Sequence, residues 1–268
     1  MKPVSRTAFY CTGVRALDAR KLNPACGDTY AERFMDDETW RGFEPFRQFT
    51  YPNISNATRH RIIDDLLRER LAANPQLRVV IVGAGFDSRA FRLKGGRWVE
   101  VDEPHVFAWK EPRLPAAQCP NPLTRVPVDF ENQRLADRLK PFADDGPVVV
   151  VVEGVFFYLG EPLIRELLRT VRDAFPRGEI LCDVMTLEFF AKYGKTIFEK
   201  IREMGAAYRV PERPIDGIFA EERYTETARL SVSERALALG QFSWHWRLLL
   251  PLMTTLRRGY SIRAFKPR

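Results

Sequence analysis

The chain contains no run of 18 apolar residues, no paired cysteines and no low-complexity stretch. The first absence argues against a spanning helix, which needs about 20 consecutive apolar residues. Behind Met1-Lys-Pro-Val-Ser-Arg there is no apolar segment either, so no signal peptide is expected. Cys11, Cys26, Cys119 and Cys182 form no CxxC pair, which points away from a zinc site or a disulfide framework. A reducing, cytoplasmic setting without a bound metal is the expectation. Lysine is scarce: 33 Arg and 9 Lys stand against 35 Asp+Glu, a net charge of +7. The basic residues are dispersed, whereas a nucleic-acid arm concentrates its charge in runs. Nucleic acid is therefore disfavoured as a partner, and no membrane contact is expected. With no Gly/Ser linker or repeat, 268 residues are read as one large domain.

What is present is alternation. Arg78 to Val82 is a short β-branched run ending at Gly83, too evenly apolar for a half-exposed strand. Similar runs recur at Trp98 to Val101, Thr124 to Val128, Val148 to Val152 and Glu179 to Val184. Helical spacing lies between and before them. Glu161 to Phe175 places Leu163, Ile164, Leu167, Leu168 and Val171 on one face, with Pro162 in the first turn. Ser55 to Asn74 does the same with Ile62, Ile63, Leu66, Leu67 and Leu71, with Ser55 or Asn56 as the cap. Strand and helix alternating over this length predict a parallel sheet with helices on both faces. After it, Thr186 to Tyr208 reads as helical until Pro211, and Arg223 to Val232 reads as a strand. Two short helices, Ser233 to Gly240 and Trp244 to Arg258, follow, and Gly259 to Lys266 is expected as a final strand at a sheet edge.

In an open parallel sheet the ligand crevice lies beyond the carboxyl ends of the strands. The first strand ends in Gly83-Ala-Gly85, where missing side chains let the backbone approach a ligand. The second ends at Asp102, a possible acceptor for a ribose diol; the third at Asp129-Phe130, an acceptor beside an apolar ring; the fourth at Glu153. Each position also has a plainer use. The glycines suit a tight turn, Asp102 and Glu153 a helix cap or an Arg partner, and Asp129 a turn. Four consecutive strands ending this way favour a ligand.

The segments GAGFDSRAFRL (83–93), WVEVDEP (98–104), VPVDF (126–130) and EGVFFYL (153–159) resemble the leucine carboxyl methyltransferase-like family of class I S-adenosylmethionine-dependent methyltransferases. That family includes a carboxyl methyltransferase of a protein phosphatase C-terminus and bacterial polyketide O-methyltransferases. TAFYCTGVRALDAR (7–20) and Arg59 within SNATRHRIID are similar to it as well, and the likeness loosens after Leu187. The resemblance implies a Rossmann-like α/β fold: a seven-stranded, mostly parallel sheet with an antiparallel last strand. Residues 1–54 would form an N-terminal helical cap and 186–222 an inserted helical lid. It also implies S-adenosyl-L-methionine as cofactor. Arg59 would clamp the methionyl carboxylate, and Gly83 and Gly85 would line the methionyl moiety. Asp102 would hold the ribose hydroxyls, Asp129 and Phe130 would bracket the adenine, and Glu153 would sit near the amine and sulfonium. Arg15 would supply a basic N-terminal contact.

A carboxylate acceptor needs no base, whereas a hydroxyl is helped by one. Tyr158 and His245 are the candidate catalytic residues, while His60 and His105 read as packing or surface positions. Phe189, Phe190, Tyr193, Phe198 and Tyr208 are core at helical spacing, or else the wall of an apolar acceptor pocket. The expectation is O-methylation of a carboxyl or hydroxyl group of a small metabolite, by a monomer or a homodimer. Three alternatives stay open: methylation of a protein C-terminal carboxyl, a non-catalytic cofactor-binding protein, and a nicotinamide-dependent reductase. Ser88, where a reductase fingerprint has its third glycine, speaks against the last.

Overall fold

The computed structural model describes residues 2–206, 209 and 213–268, so the expectations at Tyr208 and Pro211 lie outside the described residues. One sheet holds seven strands: β1 (Arg78–Val82), β2 (Arg97–Asp102), β3 (Leu123–Pro127), β4 (Val148–Val152), β5 (Gly178–Met185), β6 (Tyr224–Ser231) and β7 (Tyr260–Pro267). Their spatial order is β3-β2-β1-β4-β5-β7-β6. β1 to β5 pair in parallel, and β7 runs antiparallel to both β5 and β6. Six strands therefore point one way and the last points back. The crossover between β1 and β4 opens the crevice where such sheets take ligands.

Continuous apolar runs form the central strands because both faces are covered. In β4, Val149 and Val151 join Val79, Ile81, Ile63 and Leu67 on one face. Val148, Val150 and Val152 join Val80, Val82, Leu168 and Val171 on the other. The helix Thr50–Ala73 supplies the first layer and the helix Glu161–Ala174 the second. The first of these starts five residues before Ser55. Pro52 sits in its opening turn, where the missing N–H would have no partner anyway, so Ser55 and Asn56 are interior positions and not caps.

β7 is not at the edge expected for it. It lies between β5 and β6, which leaves β6 as the outer strand. Residues Tyr260 to Phe265 are all buried, as a strand paired on both sides and packed on both faces requires. Even Arg263 is buried there, held by Ser261 Oγ at 3.1 Å and by Asp216.

Buried ions fasten the long helix Thr50–Ala73 to the ends of the strands. Asp64 accepts from Arg89 Nε and Arg92 Nη1, both at 2.6 Å. Arg59 donates to Glu153 at 3.0 Å and to Asp183 at 2.9 Å. Burial opposes ionisation of Asp64, but the surrounding cations, Arg89 and Arg92 among them, outweigh it and hold the carboxyl well below its ordinary range. Asp64→Ala leaves two buried guanidiniums short of a counter-charge. It is expected to lower the unfolding free energy by about 3–5 kcal/mol in urea denaturation at neutral pH. A depressed carboxyl stabilises fully above its unfolded pKa near 3.8 and less as pH falls below it. The difference between wild type and variant should therefore narrow in acid.

Candidate active site

The turn after β1 brings backbone to the floor of the crevice. Gly83 and Gly85 have φ of +70° and +46°, in the left-handed region that glycine tolerates. A Cβ at Gly83 would also stand 2.5 Å from Val155 Cγ2. Gly83 N and Ala84 N both donate to Val101 O, at 2.9 and 3.1 Å, which ties the turn to β2. At the end of β2, Asp102 accepts from Gly85 N at 2.6 Å and from Glu103 N at 2.7 Å. Burial pushes its carboxyl up to about 6 despite these bonds. Its ionised form is thus costly and available for further donors.

β4 and β5 contribute the anionic side. Glu153 Oε1 takes Arg59, while Oε2 lies 2.8 Å from Arg89 Nη2 and 3.2 Å from His60 Nδ1. Burial is outweighed by Arg89 first among the cations, so Glu153 stays ionised well below its ordinary range. Asp183 accepts from Gly154 N at 2.7 Å, Arg59 Nη1 at 2.9 Å and Tyr260 Oη at 3.0 Å. The third Arg59 nitrogen, Nη2, reaches the weak acceptor Cys11 Sγ at 3.4 Å. His60, Asp87 and Glu153 bring ligand-type atoms within 4.8 Å of one another, a spacing that suits a metal. Arg89 contacts all three and supplies the positive charge there. Burial, then Arg89, lowers the His60 pKa and keeps the imidazole neutral.

One cavity of about 1110 Å³ joins these groups. Arg15, Arg59, Gly83, Gly85, Asp102, Phe130, Glu153 and Tyr158 all line it. Arg15 is itself committed, donating to Asp28 Oδ2 at 3.0 Å and Phe86 O at 2.9 Å. Asp129 is not among the lining residues. Its carboxylate caps the next turn, accepting from Asn132 Nδ2 at 2.7 Å and Glu131 N at 3.1 Å, the plainer of the two uses expected for it. His245 is also outside the lining, exposed and within 3.0 Å of Ser243 Oγ, so it is not brought together with the others. Burial pushes the Tyr158 phenol up to about 12.

Several lining groups escaped the sequence reading. Glu103 faces the cavity beside Asp102 and pairs with Lys2 at 3.0 Å. Asn56 lines it too, with a buried Oδ1 that has no hydrogen-bond partner among the described residues. Tyr260 enters from β7. An acid inside the apolar run of β5 was a legible sign for Asp183, but nothing local marks Asn56 or Tyr260. The far wall is apolar: Met185 ends β5, Phe189, Tyr193, Ile197 and Phe198 follow it, and Phe242, Trp246 and Met253 precede β7. At the position where a dinucleotide fingerprint has its third glycine, Ser88 is buried and donates to Asp28 at 2.6 Å.

Residues 8–172 match the family model described as leucine carboxyl methyltransferase. The tetracenomycin polyketide synthesis O-methyltransferase TcmP of Streptomyces glaucescens is 30% identical over 211 residues, 76% of this chain and 74% of that protein. The S-adenosyl-L-methionine-dependent methyltransferase dpfgK of Gibberella zeae is 26% identical over 250 residues, 86% of this chain and 83% of that protein. Among solved structures, an O-methyltransferase family protein from Burkholderia thailandensis superposes with a TM-score of 0.54 at 13% identity. The match covers 88% of this chain and 61% of that one, a likeness of fold. With a sheet of this order and a match over more than half its length, the chain belongs to the leucine carboxyl methyltransferase family and is an S-adenosylmethionine-dependent methyltransferase.

Proposed function

We propose that the chain methylates an oxygen of an apolar small-molecule acceptor, one that arrives ionised or ionises readily. The observation that carries this reading is the cavity's two-sided chemistry, with charged groups at the strand ends and an aromatic and aliphatic far wall. Bound S-adenosylmethionine supplies an electrophilic methyl group on a sulfonium. The residues present fit that cofactor. Gly83 and Gly85 leave a side-chain-free cradle, Asp102 and Glu103 offer carboxylates for hydroxyl donors, and Arg59 Nη2, with one hydrogen toward the weak acceptor Cys11, keeps the other for an anion. Glu153 has both oxygens engaged by Arg59, Arg89 and His60, which suits it to orienting Arg59 as well as to lining the site.

The acceptor side supports an ionised oxygen because the described lining residues include no histidine. Tyr158, pushed up to about 12, holds its proton at neutral pH. Tyr10 and Tyr260 are shifted upward by burial as well. A carboxylate, or a phenol acidified by conjugation, needs no proton removed by these groups. Apolar walls then hold the acceptor and exclude water, so that orientation supplies the main rate advantage. The polyketide-directed TcmP is a relative whose named role agrees with such an acceptor.

The direct test is methyl transfer from labelled cofactor to a panel of apolar aromatic carboxylates and phenols, with a leucine-terminated peptide alongside. Product on the small acceptors and none on the peptide is expected; product on the peptide alone would reject the proposal. Tyr158→Phe should keep kcat/KM within about tenfold, since loss of a general base costs about 10²–10⁴. Asp102→Asn should raise the Kd for the cofactor about tenfold or more through weakened charge-assisted hydrogen bonds. For the unaltered chain, calorimetric titration should show cofactor binding weakening as pH falls through about 6, where Asp102 takes up its proton. Asp102→Asn should lose that acid limb.

A further inference from the structure

Dispersed basic residues conceal an uneven balance. Residues 235–268 carry seven Lys or Arg and no Asp or Glu, so the other 234 residues are balanced at 35 of each sign. The whole surplus of +7 belongs to the C-terminal segment. Part of it is spent internally: Arg235 pairs with Asp65 at 2.5 Å, Arg263 with Asp216 and Glu226, and Arg257 lies 3.8 Å from Glu234. Arg247 and Arg258 are exposed and make no ion pair among the described residues.

The same segment is apolar on two sides. Its inner side packs: Leu250 is buried, and Trp246, Met253 and Leu256 line the cavity. Its outer side carries Trp244, Leu248 and Leu252 at 75%, 68% and 81% exposure, with Leu249 beside them at 45%. Positions 244, 248 and 252 recur every four residues along one helical row, through the turn at Trp244, the helix Trp246–Leu249 and the 3-10 turn Leu250–Leu252. A helix apolar all round belongs in a buried place, yet this row faces water. Of nine large apolar side chains exposed among the described residues, these four share one short segment, and Val4, Tyr51, Phe130 and Leu163 border the cavity.

We propose that residues 244–258 form a docking surface that seats the protein on an anionic phospholipid bilayer, with Trp244, Leu248 and Leu252 entering the interface and Arg247 and Arg258 meeting lipid phosphates. In sequence the segment is an apolar row with Trp, flanked by Arg and free of acids, the composition of an interfacial helix, which lies on the bilayer without crossing it; Glu234 and Glu188 reach it from other elements, at Arg257 and Thr255. The lack of a spanning segment, from which no membrane contact was expected, has no bearing on a surface of this kind. Because the inner side of the segment walls the cavity, the docked face and the apolar acceptor wall are opposite sides of one element. The proposal stands whichever oxygen is methylated.

Flotation of the full chain with phosphatidylcholine vesicles, with and without phosphatidylglycerol, is the test. The chain should float with the anionic vesicles, release in high salt and stay largely behind with phosphatidylcholine alone. Leu248→Asp combined with Leu252→Asp should lower the bound fraction at least about tenfold. Arg247→Glu should reduce only the part that depends on phosphatidylglycerol. Retained binding of S-adenosylhomocysteine in calorimetry shows that each variant is folded, since neither leucine lines the cavity. Failure of the unaltered chain to float overturns the proposal, as does unchanged flotation of the double variant. A concentration-dependent dimer in sedimentation that Leu248→Asp abolishes gives the face to a second copy and overturns it equally.

Discussion

A chain of alternating charges, buried except for the part-buried Glu153, holds the site together: Asp64, Arg89, Glu153, Arg59 and Asp183, each within 3.0 Å of the next. These five residues come from the long helix, the short helix Arg89–Arg92 that follows the glycine turn, the end of β4 and the last part of β5. Burying an ion costs several kcal/mol, which only close and well-satisfied partners offset. The arrangement therefore tolerates few alternatives. If the helix shifts along its axis, each guanidinium loses a carboxylate, so the helix, the glycine turn and the strand ends keep one relation to each other. The cavity floor inherits its shape from that relation.

This constraint gives several residues two duties. Arg59 closes the charge chain and also presents Nη2 to the cavity. Glu153 lines the cavity, yet both its oxygens are engaged from behind. Asp102 shows the same economy on the other side of the switch point, where it fixes the Gly85 and Glu103 amides while keeping acceptor capacity. The polar floor is thus rigid by necessity. The opposite wall comes mainly from the segments before and after β6, where side chains pack by shape and area. Such a wall can change its fit to an acceptor without disturbing the floor.

Much of this was legible in the residues. The starts and ends of β1, β2, β4 and β5 lie within a residue of the apolar runs that signalled them, because a strand covered on both faces is apolar at most of its positions. The glycines and the acids at the strand ends were legible for a related reason. Few residue types satisfy a positive φ or a desolvated charge, so their presence is informative. Asp129 was ambiguous because an acid after a strand serves a turn as well as a ligand, and its bonds to Asn132 and Glu131 show it in the turn. His245 drew notice through its aromatic neighbours. Those neighbours Phe242 and Trp246 turn toward the cavity while the imidazole turns out.

Local sequence determined which segments are strands and helices, where backbone needs glycine, and which strand ends carry charge. Each of those follows from steric limits and burial acting within a few residues. Tertiary structure decided the rest. β7 lies inside the sheet because the chain returns between β5 and β6, a matter of pairing partners that no window of sequence contains. Asn56, Asp183 and Tyr260 meet at one cavity across more than 200 positions of sequence or join its supporting bonds, and Arg89 is tied to Asp64 and Glu153. The row at Trp244, Leu248 and Leu252 is readable as apolar in sequence, but only the packed fold leaves it facing water, because the inner side of its segment already fills the space against the cavity.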